Sequence, residues 1–399
     1  MSTATMAVSR SGMGAKQLGW LGAALGAVAW YITLPPLLVR TPVPSIVLGV
    51  AAVAAGVAAT RGGEVRWGRG AILAGVAGAV GAVVATKSGE ANLEKVFVWS
   101  ALFAATLRFA TPLLLAALGG LMSERSGVIN VGLEGMMLMG AFFGIFGADV
   151  FGSWFLGVLL GVAAGGALAV IHAVFSIALR ADQVVSGVAI NFLAAGITGY
   201  LFIAHYGDQG TPGSVPSVPD VNLPILSETG FFGEAIGDMN LLTWVALLLV
   251  PLVAAYLYRT PSGLRLRSVG EKPRAADSVG IPVLRTRYIA VIVSGCLAGL
   301  GGVYLSVGLV HSFNQGMTAG RGFIALAVVI FGAWRPYGAL AGALLFGFSS
   351  AVAQRLPAFS ESLAVLFQAL PYVLVLVVVA GLIGRSRPPA SIGIPYVKE

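Results

Sequence analysis

Residues 241–258 read Leu241-Leu-Thr-Trp-Val-Ala-Leu-Leu-Leu-Val-Pro-Leu-Val-Ala-Ala-Tyr-Leu-Tyr258 and carry no charge. Such a run suits a helix through the hydrocarbon core of a bilayer, where roughly 20 apolar residues make one crossing. Its two flanks differ in sign. Residues 205–240 hold five acids (Asp208, Asp220, Glu228, Glu234, Asp238) and no Lys or Arg. Residues 259–287 hold seven bases (Arg259, Arg265, Arg267, Lys272, Arg274, Arg285, Arg287) against Glu271 and Asp277. Basic loops stay on the cytoplasmic side of a membrane, so 259–287 is expected inside and 205–240 outside. One span joins them, and the two charge signals agree.

The same apolar character recurs along the chain. Further spans are expected near 18–39, 43–60, 70–86, 98–121, 131–150, 153–179, 184–204, 288–310, 337–354 and 363–384. Gly322–Trp334 is apolar but short for a full crossing. It forms a half-helix or extends back through Arg321, and with 337–354 it either crosses fully or makes a re-entrant hairpin, turning at Arg335-Pro336. The fold class is all-α: a polytopic integral membrane protein of about 10–12 transmembrane helices. Counting from the basic loop puts Arg61, Arg66 and Arg69 inside, with both termini cytoplasmic.

Composition fits that class. Hydrophobic residues make up 57% of the 399, and charged residues only 10%, against about 25% in a soluble domain. Mean hydropathy is +0.91. The 55 glycines would weaken soluble helices but let membrane helices approach closely. Small residues recur four apart at Gly22/Gly26, Gly140/Gly144, Gly157/Gly161/Gly165, Gly295/Gly299 and Gly338/Gly342, although pairs also arise by chance at this glycine content. The single Cys296 and the scattered His172, His205 and His311 give no metal site and no internal disulfide. Residues 1–17 do not read as a cleaved signal peptide. The net charge of +8 belongs to cytoplasmic loops rather than to nucleic-acid binding. No lysine follows a glycine in a phosphate-loop pattern, and no catalytic constellation is visible. The chain is therefore not read as an enzyme, and no cofactor is expected in it.

Two polar segments carry the functional information. In Gly270-Glu-Lys-Pro-Arg-Ala-Ala-Asp-Ser-Val-Gly-Ile281, Pro273 suits the first turn of a helix and Gly280 suits a left-handed stop. Glu271 lies near the helix start, where a carboxylate is favourable. The short helix between them, with its small Ala275-Ala276 face, either seats in a groove of another protein or lies as a connector on the membrane surface. In Ser123-Glu-Arg-Ser-Gly-Val-Ile-Asn-Val-Gly-Leu-Glu-Gly135, Asn130 and Glu134 would share one face of a helix. A carboxylate there needs a partner or a water-lined cavity, and Arg108 and Arg125 are the available bases. This face either lines a solute route or braces a helix junction. Asn191 and Gln183 share another helical face, Asn191 being the deeper. Phe323, Phe331 and Trp334 either stack on a ring or pack. Gly320-Arg321-Gly322 reads as a helix start near the outer mouth. His172 reads as a satisfied packing residue.

The segment 270–281 resembles the cytoplasmic coupling segment of ABC importer permeases of the ribose, nucleoside and branched-chain amino acid family. The run 126–136, with Ala110–Gly119, Ala181–Asn191 and Gly320–Pro336, is similar to the nucleoside-type branch. The resemblance covers roughly 96–385. It implies an ABC permease transmembrane domain at 96–385, with a core like that of ribose-type permeases. A hydrophobic extension of up to three helices at 1–95 precedes it, and a cytoplasmic tail at 386–399 follows. It further implies cytoplasmic ATPase subunits docking on Glu271, Pro273, Ala275, Ala276 and Gly280. A second permease subunit, the same or homologous, and an extracytoplasmic substrate-binding lipoprotein complete the expected assembly. Asn130, Glu134, Asn191 and Phe323 are the candidates for the solute path. A nucleoside is the preferred solute, with simple sugars and branched-chain amino acids next. The rival from another class is an ion-coupled secondary transporter, whose signature of several mid-membrane carboxylates or inverted repeats is not evident.

Overall fold

A computed structural model describes residues 14–32, 41–87, 98–207, 210–222, 224, 230–355, 369 and 387–398. Residues 33–39 of the expected span 18–39, and the expected span 363–384 apart from residue 369, lie outside the described residues. Among those described, eight helices are long and apolar enough to cross a membrane.

The contacts divide the chain into two compact units. The first contains α1 (Ala15–Tyr31), α2 (Val43–Arg61) and α3 (Val65–Lys87). These pack through small side chains: Gly22 of α1 meets Ala71 of α3, and Gly49 of α2 meets the Gly75 carbonyl.

The second unit contains α4 (Trp99–Arg125), α5 (Leu133–Phe151), α6 (Trp154–Ala173), α7 (Gln183–Tyr206), α8 (Gly230–Ile236) and α9 (Leu241–Arg259). On the basic side follow α10 (Pro261–Glu271) and α11 (Pro273–Ser278), then α12 (Val283–Val303), α13 (Arg321–Phe331) and α14 (Pro336–Arg355). The wider π-helical turns Val174–Ala178 and Tyr304–Val310 extend α6 and α12. On the acidic segment, β1 (Asp220–Asn222) pairs antiparallel with β2 (Asp238–Asn240), aligning Asp220 with Asn240. Asn240 pins this ribbon to the bundle by donating to the carbonyls of Val218 and Gly308.

At the centre of the second unit, the glycine pairs of α5, α6 and α12 converge. Gly140 lies on the Gly299 backbone, and Gly165 meets the Gly295 carbonyl and Gly299 Cα. Such contact lets backbones meet where leucines would hold them apart, and it compacts the core around α4, whose Leu114, Leu115, Leu118 and Leu121 are buried.

The expectation left open for 322–354 resolves as a half-helix followed by a full one. α13 has 11 residues, about 16 Å at 1.5 Å per residue, roughly half a hydrocarbon core. α14 has 20. The turn between them takes left-handed φ at Ala333 (51°) and Trp334 (54°).

Candidate functional site

α4 stops at Arg125, and α5 starts only at Leu133. The intervening 126–132 is not helical, with Gly127 at φ +91°. The sequence expectation that Asn130 and Glu134 share a helical face is therefore corrected, because no helix runs through Asn130. Buried non-helical backbone must find polar partners inside the protein, and here side chains supply them. Gln183 Oε1 accepts from Ile129 N at 2.7 Å. His172 Nε2 pairs with the Ile129 carbonyl at 3.0 Å, while its Nδ1 meets Ser186 Oγ. Asn191 Nδ2 donates to the Val131 carbonyl at 3.1 Å, and its Oδ1 accepts from Gly135 N at 2.8 Å. Asn130, fully buried, donates to Ser294 Oγ of α12 at 2.9 Å, and its Oδ1 has no partner.

Glu134 stands at the head of α5 and caps the half-helix. Its Oε1 accepts from Gly320 N at 2.8 Å and its Oε2 from Gly322 N at 2.6 Å. The first amides of a helix have no acceptor of their own, and the N-terminal end of the dipole favours a carboxylate. Gly322 is required by close approach: any Cβ there would collide with the Glu134 backbone. Neither base proposed as a partner for Glu134 serves it. Arg108 is exposed. Arg125 donates through Nε and Nη2 to the Trp334 carbonyl at 2.9 and 2.6 Å.

The other end of α13 is held as firmly. Trp334 Nε1 donates to the buried Glu124 Oε2 at 2.5 Å. The half-helix is thus fixed at its head by α5 and beyond its tail by the last residues of α4. Gly320-Arg321-Gly322 starts a helix, as expected, and lies against Glu134. The connection from α12 packs inward too, with buried Phe313 against Phe142 and Phe202 at 5.2 and 5.3 Å.

All four path candidates lie near this break. Asn191 and Glu134 bond backbone groups beside it, and Asn130, within it, bonds the Ser294 hydroxyl. Phe323, one residue past Gly322, is exposed on the first turn of α13. Of the cavities in this unit, one of about 700 Å³ is lined by Ala254, Tyr258, Arg335 and Tyr337. Another of about 300 Å³ lies between α10 and α12. None of the four candidates lines either one.

The residues expected to couple to an ATPase form a second cluster. α11 begins at Pro273, and Gly280 stops it at φ +82°, with Gly280 N bonded to Asp277 O and Ile281 N to Ala276 O. The Ala275-Ala276 face divides, however. Ala275 is exposed, whereas Ala276 is buried with Val269, Val283 and Tyr396. Ala276 is therefore a core residue of this cluster and not part of an outer surface. Glu271 also departs from expectation. It ends α10, and its carboxylate accepts from Ala390 N at 3.2 Å. Sequence reasoning missed the strap responsible. The tail 387–398 bonds through Ser391 N to Gly270 O and through Gly393 N to Gly127 O. The buried Arg287 donates to the Ile394 carbonyl, and Lys398 meets Asp277 at 3.8 Å. Gly270 itself lies on the Arg125 carbonyl. The coupling segment and the α4–α5 break are therefore bound to each other and to one strap.

Residues 102–379 match the family model described as branched-chain amino acid transport system / permease component. The chain is 41% identical over 317 residues to the guanosine ABC transporter permease protein NupQ of Bacillus subtilis, covering 77% of this chain and 99% of that one. It is 37% identical to the nucleoside ABC transporter permease protein NupC of Lactococcus lactis, covering 74% and 96%. It is 42% identical to the putative glucose ABC transporter permease protein TsgC13 of Haloferax volcanii, covering 66% and 80%. No solved structure matches. The capped half-helix, the short helix on the basic loop and these matches together place the chain in the branched-chain amino acid transport system permease family, as a membrane-spanning permease subunit of an ABC transporter.

Proposed function

We propose that the chain forms the translocation path for a nucleoside in an ATP-driven importer. The basic face carrying α10 and α11 lies in the cytoplasm, together with both termini. The observation that carries this reading is the half-helix α13, clamped at its head by Glu134 and past its tail by Glu124 and Arg125. Phe323 stands exposed on its first turn. An aromatic face at a broken helix suits a flat base, since stacking on an aromatic side chain contributes about 1–3 kcal/mol per base. Asn191 and Glu134 position this wall by bonding the backbone behind it, and Asn130 by bonding Ser294 Oγ of α12. The guanosine and nucleoside permeases among the relatives support the solute class.

Cytoplasmic ATPase subunits dock on the outer side of α11, where Ala275 and Val279 are exposed. A second permease subunit and an external binding lipoprotein complete the transporter. The strap carries movement of α11 to the α4–α5 break through Gly270 and Gly127. Helices α1–α3 form an added helical module.

The test is guanosine uptake into vesicles holding the chain with its ATPase and sister permease. Uptake is expected to need ATP. Ala275→Arg is expected to remove the co-purifying ATPase and uptake while the permease stays monodisperse. Ala276→Arg is expected to disturb folding itself. A glucose reading is favoured by one observation, the 42% identity to a putative glucose permease. ATP-dependent glucose uptake that excess guanosine leaves unchanged would replace the nucleoside reading with it.

A further inference from the structure

The segment 259–287 has seven bases and two acids, and the tail engages both acids. Glu271 accepts from Ala390 N, and Asp277 meets Lys398. Two of the bases are also occupied: Arg267 lies over the Tyr258 ring at 5.0 Å, and Arg287 is buried on the Ile394 carbonyl. Arg265 and Arg285 are different. Both are exposed, and among the described residues no carboxylate lies within ion-pair distance of either. Both line the cavity of about 300 Å³ between α10 and the head of α12, together with Ser262, Tyr256 and Ile289.

The surroundings of this cavity indicate what fills it. Each arginine follows an exposed leucine in sequence, Leu264 before Arg265 and Leu284 before Arg285. Ile289, one turn beyond Arg285, is 50% exposed. An aqueous surface would favour the guanidiniums but not three large aliphatic side chains beside them. A hydrocarbon surface would favour the reverse. The membrane interface, where phosphates lie above acyl chains, suits both at once. Basic pockets between helices at that level are sites for anionic headgroups, and a guanidinium fork matches phosphate geometry.

We propose that this cavity binds an anionic phospholipid. Arg265 and Arg285 hold the phosphate of its headgroup, while Leu264, Leu284 and Ile289 meet its acyl chains. The site tethers the base of the coupling segment to the bilayer. It does not depend on which solute the permease carries.

The test uses the full chain purified in mild detergent and analysed by native mass spectrometry. Phosphatidylglycerol, phosphatidylcholine or inorganic phosphate is added in turn. Wild type is expected to retain phosphatidylglycerol well above phosphatidylcholine. The double variant Arg265→Gln/Arg285→Gln is expected to lose about thirtyfold in that retention, at about 1 kcal/mol for each base near the surface. Arg61→Gln/Arg69→Gln removes two exposed charges at the junction of α2 and α3 and is expected to leave retention unchanged. If the glutamine variant does not purify as a single species, Arg265→Lys/Arg285→Lys keeps the charge without the fork and is expected to retain an intermediate amount. Equal retention of the two lipids, or equal losses in the two glutamine variants, would overturn the site. Inorganic phosphate stabilising the protein as well as phosphatidylglycerol does would overturn its assignment to lipid.

Discussion

Helices α1–α3 and the bundle that starts at Trp99 are both apolar, yet they handle their backbones in opposite ways. The first three helices run unbroken and meet through glycine and alanine. The side-chain hydrogen bonds described among them are local, such as Thr60 Oγ1 to the Val57 carbonyl. The larger bundle interrupts itself at 126–132 and again before and after α13. At each interruption polar side chains from distant helices satisfy the exposed backbone: Gln183, His172 and Asn191 at the first, Glu134 and Arg125 at the second. A helix in lipid needs no such help, because its peptide groups pair within the segment. Side chains that reach across to the backbone of a distant segment therefore gather where a helix stops.

The strongest way to break that contrast is to remove the cap of the half-helix. Glu134→Ala leaves the amides of Gly320 and Gly322 without acceptors in a buried place. Hydrogen bonds to a charged group contribute about 1.5–3 kcal/mol each, so a loss of about 3 kcal/mol or more is expected. It would appear as a large fall in the thermal midpoint in detergent, with uptake abolished. Glu134→Gln keeps one acceptor and turns an amide donor toward the other N–H, so about half the loss should return. A wild-type midpoint in Glu134→Ala would show that the cap does not hold α13.

The breaks were only partly legible in the sequence. The spans and the charge asymmetry follow from local composition. The short helix α11 follows from Pro273 and Gly280, whose φ of +82° only glycine adopts freely. Asn130 and Glu134 misled because an i, i+4 argument presumes the helix it uses. Gly127 and Gly132, bracketing Asn130, were the signal that it ends. Trp334 and Glu124 are 210 residues apart, and Arg287 and Ile394 are 107 apart. No local pattern records such pairs. The burial of Ala276 beneath Tyr396 was hidden for the same reason, since the tail that covers it lies more than a hundred residues away.

A smaller effect is expected at the first break. Asn191→Leu keeps the volume but leaves the Val131 carbonyl and Gly135 amide unpaired, at about 2 kcal/mol. Hydrogen exchange should quicken at Gly135 and along 126–132 before it does elsewhere. Asn191→Asp keeps an acceptor for Gly135 and sets an oxygen against the Val131 carbonyl. It should fall between leucine and wild type.

The smallest effects sharpen the comparison most, because one chemical change can be made in both regions. Ser45 of α2 and Ser294 of α12 are each fully buried. Ser294 Oγ accepts from Asn130 Nδ2, whereas Ser45 Oγ has no partner. Ser294→Ala should cost about 1 kcal/mol, because it strands an amide that braces the break. Ser45→Ala removes a hydroxyl that bonds nothing, and it should lie within about 0.5 kcal/mol of wild type, on the stabilising side if anywhere. Thermal midpoints of the two variants, measured side by side in one detergent, separate the cases. Equal shifts would mean that burial alone sets the cost of a hydroxyl here. A shift at Ser294 alone would tie that cost to the backbone standing behind it.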